Sequence, residues 1–120
     1  MDEVVIAGAA RTPMGGFQGD LSPLGAPELG GAAIAVALSG ARADPSGVDE
    51  VLMGCVLPAG QGQAPARQAG FLAGLGEEVP ATTLNKMCGS GMKAAMIAWD
   101  RLALGQAEVI VAGGMESMTN

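Results

Sequence analysis

Apolar residues fall in four short runs along the chain, separated by longer Ala/Gly-rich segments with helical spacing. Val4-Val5-Ile6-Ala7 is apolar at every position, the pattern of a strand covered on both faces. Breakers then crowd together from Arg11 through Pro13, Gly15-Gly16, Gly19 and Pro23 to Gly25, which predicts a loop. From Pro27 to Ala41, Leu29, Ala33, Val36, Ala37 and Gly40 recur at helical spacing, and Pro27 suits a first turn. Asp44-Pro45-Ser46-Gly47 reads as a turn, and Val51 to Leu57 as a second buried strand.

After a loop from Pro58 to Gly62, the segment Ala64 to Leu75 predicts a short helix ending near Gly74 or Gly76. The third strand, Thr82 to Met87, carries Thr82, Thr83, Asn85 and Lys86, so it is expected at a sheet edge, where another subunit would be its cover. Gly89 to Leu104 predicts a helix with Met92, Ala95, Met96, Trp99 and Leu102 at three- and four-residue intervals. Ala94, Ile97, Ala98 and Leu104 fill most of its remaining circumference, and Lys93, Asp100 and Arg101 alone bring charge, so it belongs between layers. Glu108 to Gly113 is the fourth strand. Strands alternating with helices imply parallel pairing and an α/β class. Three helices, one of them too apolar to face water, cannot cover both faces of a buried parallel sheet, so further protein is expected around these residues.

Composition narrows the chemistry. The 120 residues, read as one domain over 1–120, carry 6 Lys and Arg against 12 Asp and Glu, a formal charge of −6. No basic face is available for a phosphate backbone, which excludes nucleic acid as a main partner. The chain holds 0 histidines and 2 cysteines, so these residues alone complete neither a Cys–His nor a Ser–His–Asp site, and no metal site is expected. One possible disulfide makes no secreted framework. The acidic opening Met1-Asp2-Glu3 is unlike a signal or transit peptide, and no apolar run approaches the roughly 18 residues of a membrane span. A cytoplasmic protein without membrane partners is expected.

The stretch Asn85-Lys86-Met87-Cys88-Gly89-Ser90-Gly91-Met92-Lys93-Ala94 is the richest in chemistry. Cys88 falls between the third strand and the apolar helix, where a side chain projects from the C-terminal edge of a sheet. A helix start offers unpaired N–H groups and about half a positive charge, which favour anionic sulfur. Gly89 and Gly91 leave room for a substrate, and amides here could donate to an oxyanion. The alternatives at this point are a nucleophile or an inert structural cysteine.

The same residues match G-x-G-x-x-A, a dinucleotide fingerprint, but the acidic residue about 20 positions on, Glu108, stands at the beginning of a strand instead of its end. Cys55, amid Met53, Val56 and Leu57, reads as core. Ser90 lacks the spacing of a nucleophile elbow and reads as a helix-start hydroxyl. Lys86 and Lys93 read as solvated surface, Arg11 and Arg67 as structural pairing, and the methionines as core fillers.

The Cys88 stretch resembles the active-site cysteine signature of thiolases, and Val111-Ala112-Gly113-Gly114-Met115-Glu116-Ser117-Met118 resembles a second thiolase signature. Ala9-Ala10-Arg11-Thr12-Pro13 and the segment from Gly54 to Ala69 are similar to the family in order and spacing, so the resemblance covers essentially the whole chain. It is closest to the branch that joins two acetyl-CoA molecules. The resemblance implies the N-terminal part of a thiolase fold: a βαβαβαβ portion of a five-layer αβαβα architecture, with the helix after the cysteine between sheets.

It also implies an acyltransferase that condenses two acetyl-CoA into acetoacetyl-CoA and CoA, with thiolysis in reverse. Cys88 would carry the acyl group and its backbone N–H would help hold the thioester oxygen. Coenzyme A enters only as substrate and product, no cofactor is needed, and family subunits associate as homodimers or homotetramers. The residues that bind coenzyme A are not assigned. The family's activating histidine, second cysteine, asparagine-held water and loop domain belong to later sequence, so Asn120 is expected to be a truncation point and the 120 residues alone to be inactive. Two other readings stay open: a non-catalytic binding or assembly module, or one chain of a split enzyme.

Overall fold

The computed structural model describes residues 3–120, and Met1 and Asp2 of the acidic opening lie outside them. The chain forms α1 (Ala26–Ala41), a single 3-10 turn (Pro45–Gly47), β1 (Glu50–Gly54), α2 (Pro65–Leu72), β2 (Ala81–Leu84), α3 (Ser90–Ala103) and β3 (Ile110–Gly114). The sheet has the order β2-β1-β3, and β1 pairs parallel with both neighbours. This is the expected α/β alternation, with the polar strand at an edge.

Covering the central strand on both faces explains its unbroken apolar sequence. Val51, Met53 and Cys55 turn toward α1 and α2, where Ile34, Leu38, Ala66, Ala69 and Met115 complete the larger core. Leu52 turns the other way and packs on Ala94 and Ala98 of α3, beside Leu84, Ile97 and Ile110. Side chains of a strand alternate between faces, so one five-residue segment serves two cores.

Local chemistry fixes the ends of these elements. At the start of α1, Pro27 occupies the first turn, Glu28 Oε1 accepts from the Gly25 amide at 3.3 Å, and Gln61 Oε1 accepts from the Ala26 amide at 2.8 Å. Arg42 closes the helix in the left-handed region at φ 54°. Thr83, a polar residue of the edge strand, accepts the Ala66 amide through Oγ1 at 2.9 Å and so caps α2. At the N-terminal edge of the sheet, Asp49 accepts the amides of Glu108 and Val109, which holds its carboxyl below the usual aspartate value.

Three expectations change. Val4-Val5-Ile6-Ala7 forms no strand, and Val5 and Ile6 are exposed. Both ladders of β1 are occupied by β2 and β3, while this segment runs beside α1, where Gly8 lies close against the Ala37 carbonyl and Ala41. The other strands are also shorter than expected: β1 stops at Gly54, β2 stops at Leu84, and β3 begins at Ile110. Finally, α3 buries Ser90, Ala94 and Ala98, but Met92, Met96 and Trp99 face outward. Among the described residues a single layer packs on this helix. No helix among them is long and apolar enough to cross a membrane.

Candidate active site

Parallel pairing brings the C-terminal ends of all three strands to one edge, the usual place for ligand sites in open α/β sheets. There a cleft of about 440 Å³ is lined by Gly54, Val56 and Leu57 after β1, Met87, Cys88, Ser90 and Gly91 after β2, and Gly114 to Glu116 with Met118 after β3. Both thiolase-like signatures therefore meet in one cavity. Glu108, the acidic residue of the dinucleotide reading, stands at the opposite edge, hydrogen-bonded to Asp49, and takes no part.

Cys88 lies one residue before the Gly89 cap of α3 and is an exposed free thiol. The turn carrying it is tightly bonded. Met87 sits in the left-handed region at φ 50°, a conformation that costs a non-glycine residue about 1–3 kcal/mol. Ser90 Oγ accepts the Lys86 amide at 2.9 Å and donates to the Met87 carbonyl at 2.6 Å. The Gly89 amide donates to Lys86 O and the Ser90 amide to Met87 O, and the Cys88 amide takes no part in these bonds. Ser90, 5% exposed, thus acts as the expected helix-start hydroxyl and also braces the turn from within.

Close approach of backbone to backbone puts α3 at the sheet edge. A Cβ on Gly54 would come within 2.5 Å of Ser90 Cβ and 2.7 Å of its carbonyl carbon. A Cβ on Gly114 would lie 3.3 Å from Gly91 Cα. These glycines let the start of α3 settle directly onto β1 and β3.

Cys55 has the opposite surroundings. It is 1% exposed, and its Sγ lies 3.8 Å from Glu116 Oε2. Burial, then the Glu116 charge, pushes its thiol above the ordinary cysteine value. It stays a neutral packing residue, as the sequence suggests. Arg67 is likewise structural: it stacks on Phe71 at 4.7 Å and donates to Glu77 O. No cluster able to hold a metal occurs among the described residues.

Two site residues escape the sequence reading although both lie inside the thiolase-like signatures. Glu116 accepts the Val56 amide at 2.8 Å and the Leu57 amide at 2.9 Å, one on each carboxylate oxygen. Asn85 donates to Val56 O at 3.1 Å and accepts the Met87 amide at 2.9 Å. A carboxylate two residues beyond the glycine-rich C-terminal end of a parallel strand is the signal that marks Glu116.

The structure is thus a parallel α/β domain that displays a free thiol just before a helix start, on a cleft at the C-terminal edge of its sheet. The chain belongs to the thiolase family: residues 4–120 match the model of the thiolase N-terminal domain. It is 58% identical over 118 residues to acetyl-CoA acetyltransferase 2 of Arabidopsis thaliana, covering 98% of this chain and 29% of that protein. It is 57% identical over 120 residues to the mitochondrial acetyl-CoA acetyltransferase B of Xenopus laevis, covering 100% of this chain and 29% of that one. Against the acetyl-CoA acetyltransferase of Cupriavidus necator the identity is 54% over 119 residues, covering 99% and 30%. The chain therefore spans less than a third of the length of these curated relatives.

Proposed function

We propose that this chain supplies the nucleophile, and part of its cradle, to an acetyl-CoA acetyltransferase. Cys88 Sγ attacks the thioester carbonyl of acetyl-CoA, the Cys88 N–H stabilises the oxygen as charge develops on it, and coenzyme A leaves with its sulfur reprotonated. A second acetyl-CoA, deprotonated at its α-carbon, then attacks the acyl-cysteine to give acetoacetyl-CoA and restores the Cys88 thiol. A thioester suits this sequence because it remains electrophilic toward carbon. Coenzyme A is substrate and product, with no further cofactor.

The observation that carries this reading is the contrast in placement: Cys88 is an exposed thiol on the cleft, while Cys55 is buried. The relatives' names support the substrate class. With 0 histidines in the sequence, the group that removes the α-proton comes from outside these residues, on a longer chain or a partner. The reading includes association as a homodimer or homotetramer along the open β2 edge, and a cytoplasmic location.

Turnover of acetyl-CoA tests it. The full-length protein carrying this sequence is expected to release coenzyme A and form acetoacetyl-CoA, whereas the 120 residues by themselves are expected to form none. Turnover by the isolated segment would contradict the need for an outside base. A full-length protein that folds and binds acetyl-CoA without reacting would favour a binding or assembly module.

A further inference from the structure

We propose that Glu116 and Asn85 are positioning residues that hold the Cys88 turn in its reactive geometry by a continuous hydrogen-bonded chain from the end of β3. The inference rests on the reading of Cys88 as the reacting thiol.

Sheet pairing does not hold this turn. The ladder between β1 and β2 closes with the Cys55 amide on Leu84 O at 3.0 Å, and both strands leave it before Cys88. Past that bond, side chains fasten the backbone. Met115 N donates to Gly54 O at 2.9 Å, which places Glu116 beside the exit of β1. Its two carboxylate oxygens then take the amides of Val56 and Leu57. The Val56 carbonyl, so fixed, accepts Asn85 Nδ2, and Asn85 Oδ1 accepts the Met87 amide. Met87 is the left-handed residue immediately before Cys88.

The chemistry of each residue fits its place. Only a carboxylate presents two acceptors and no donor to two neighbouring N–H groups, and a carboxamide would turn an N–H toward one of them. Only a primary amide of this length both donates and accepts in the middle of the chain. Ser90 braces the same turn from the α3 side, so Asn85 and Ser90 hold the strained Met87 between them. Each Glu116 oxygen accepts one backbone amide, which ties this carboxylate to the exit of β1. Misplacing a reacting atom by as little as an ångström costs roughly 100-fold in rate, so the bonds that fix Cys88 bear on its reactivity.

The test uses the full-length protein with Asn85→Ala, Asn85→Asp and Glu116→Gln. Iodoacetamide alkylation of Cys88 is followed by peptide mass mapping, together with kcat and KM for acetyl-CoA and thermal melting. Asn85→Ala is expected to lower both the Cys88 alkylation rate and kcat about tenfold, with KM within about twofold. Its melting temperature should hold, because the Asn85 side chain is exposed. Asn85→Asp keeps the acceptor for the Met87 amide and should recover part of both rates. Glu116→Gln should lower the same two rates; should it fail to fold, the Asn85 pair decides. Unchanged alkylation and kcat in Asn85→Ala would overturn the proposal, as would a loss of stability alone. A wild-type protein that carries no acetyl group on Cys88 would instead overturn the reading on which the proposal rests.

Discussion

The two cysteines lie beyond the C-terminal ends of neighbouring parallel strands, yet one is buried and the other exposed. Cys55 follows β1, sinks beneath the cleft floor and meets a carboxylate; Cys88 stands beyond β2 on a strained turn at the start of a helix. The sheet delivers both to the same edge. What separates them is how each chain leaves the sheet: the exit of β1 is drawn in by Glu116, whereas the exit of β2 is lifted by Met87 and pinned by Asn85 and Ser90. Exposure of a thiol at this edge is thus set by the few residues after the last ladder bond, not by the strands.

The sharpest way to break this comparison is to remove each thiol in turn. Cys88→Ser is expected to reduce acetyl transfer by the full-length protein about 1,000-fold or more, since the acyl-carrying atom is lost. Cys55→Ala should leave activity within a few-fold; parity between the two variants, measured as kcat/KM for acetyl-CoA, would dissolve the distinction.

A smaller effect tests the contact between the two exits. Gly54→Ala forces a methyl into Ser90 backbone and should destabilise the fold by about 2–3 kcal/mol in denaturant melts, because neither partner is a flexible side-chain end. Smaller still, Cys55→Ala leaves a small cavity in the α1/α2 core and should cost about 1 kcal/mol.

The smallest effect is a pH dependence. The Cys55 thiol titrates higher in the folded chain than in the unfolded one. The folded state therefore keeps its proton while the unfolded state loses it, and the stabilisation is present in full below about 8.5, the unfolded thiol value, then lost as pH rises through the folded value. Melting temperatures of the wild type should fall more steeply above that pH than those of Cys55→Ala. Parallel profiles would mean that Cys55 is no different from a free thiol.

The helices, and the position of Cys88 just before α3, are legible in the sequence because local residues decide them. Pro27, Gly25 and the spacing of the apolar positions mark α1, and glycines bracket α3, so both helices fall within a residue or so of expectation. Val4 to Ala7 is different: an apolar run reports that a segment seeks cover, but not that a ladder is free to receive it. The same limit applies to Val56 and Leu57, which look like strand but leave the sheet where the distant Glu116 side chain takes their amides, while the Met87 backbone is bonded by the nearby Asn85 and Ser90 side chains. Glu116 and the Val56 amide are 60 residues apart, and no periodicity joins them. The outward Met92, Met96 and Trp99 of α3 carry the complementary lesson: the sequence describes a helix between layers, while the described residues supply one of them.

The central claim is that Cys88, and not Cys55, carries the acyl group. The direct measurement is to incubate the full-length protein with acetyl-CoA, quench in acid, digest and map the acetyl group by mass spectrometry. Acetylation of the peptide bearing Cys88, absent in Cys88→Ser and present in Cys55→Ala, is the expected result; an acetyl group on Cys55, or on neither cysteine, would contradict it.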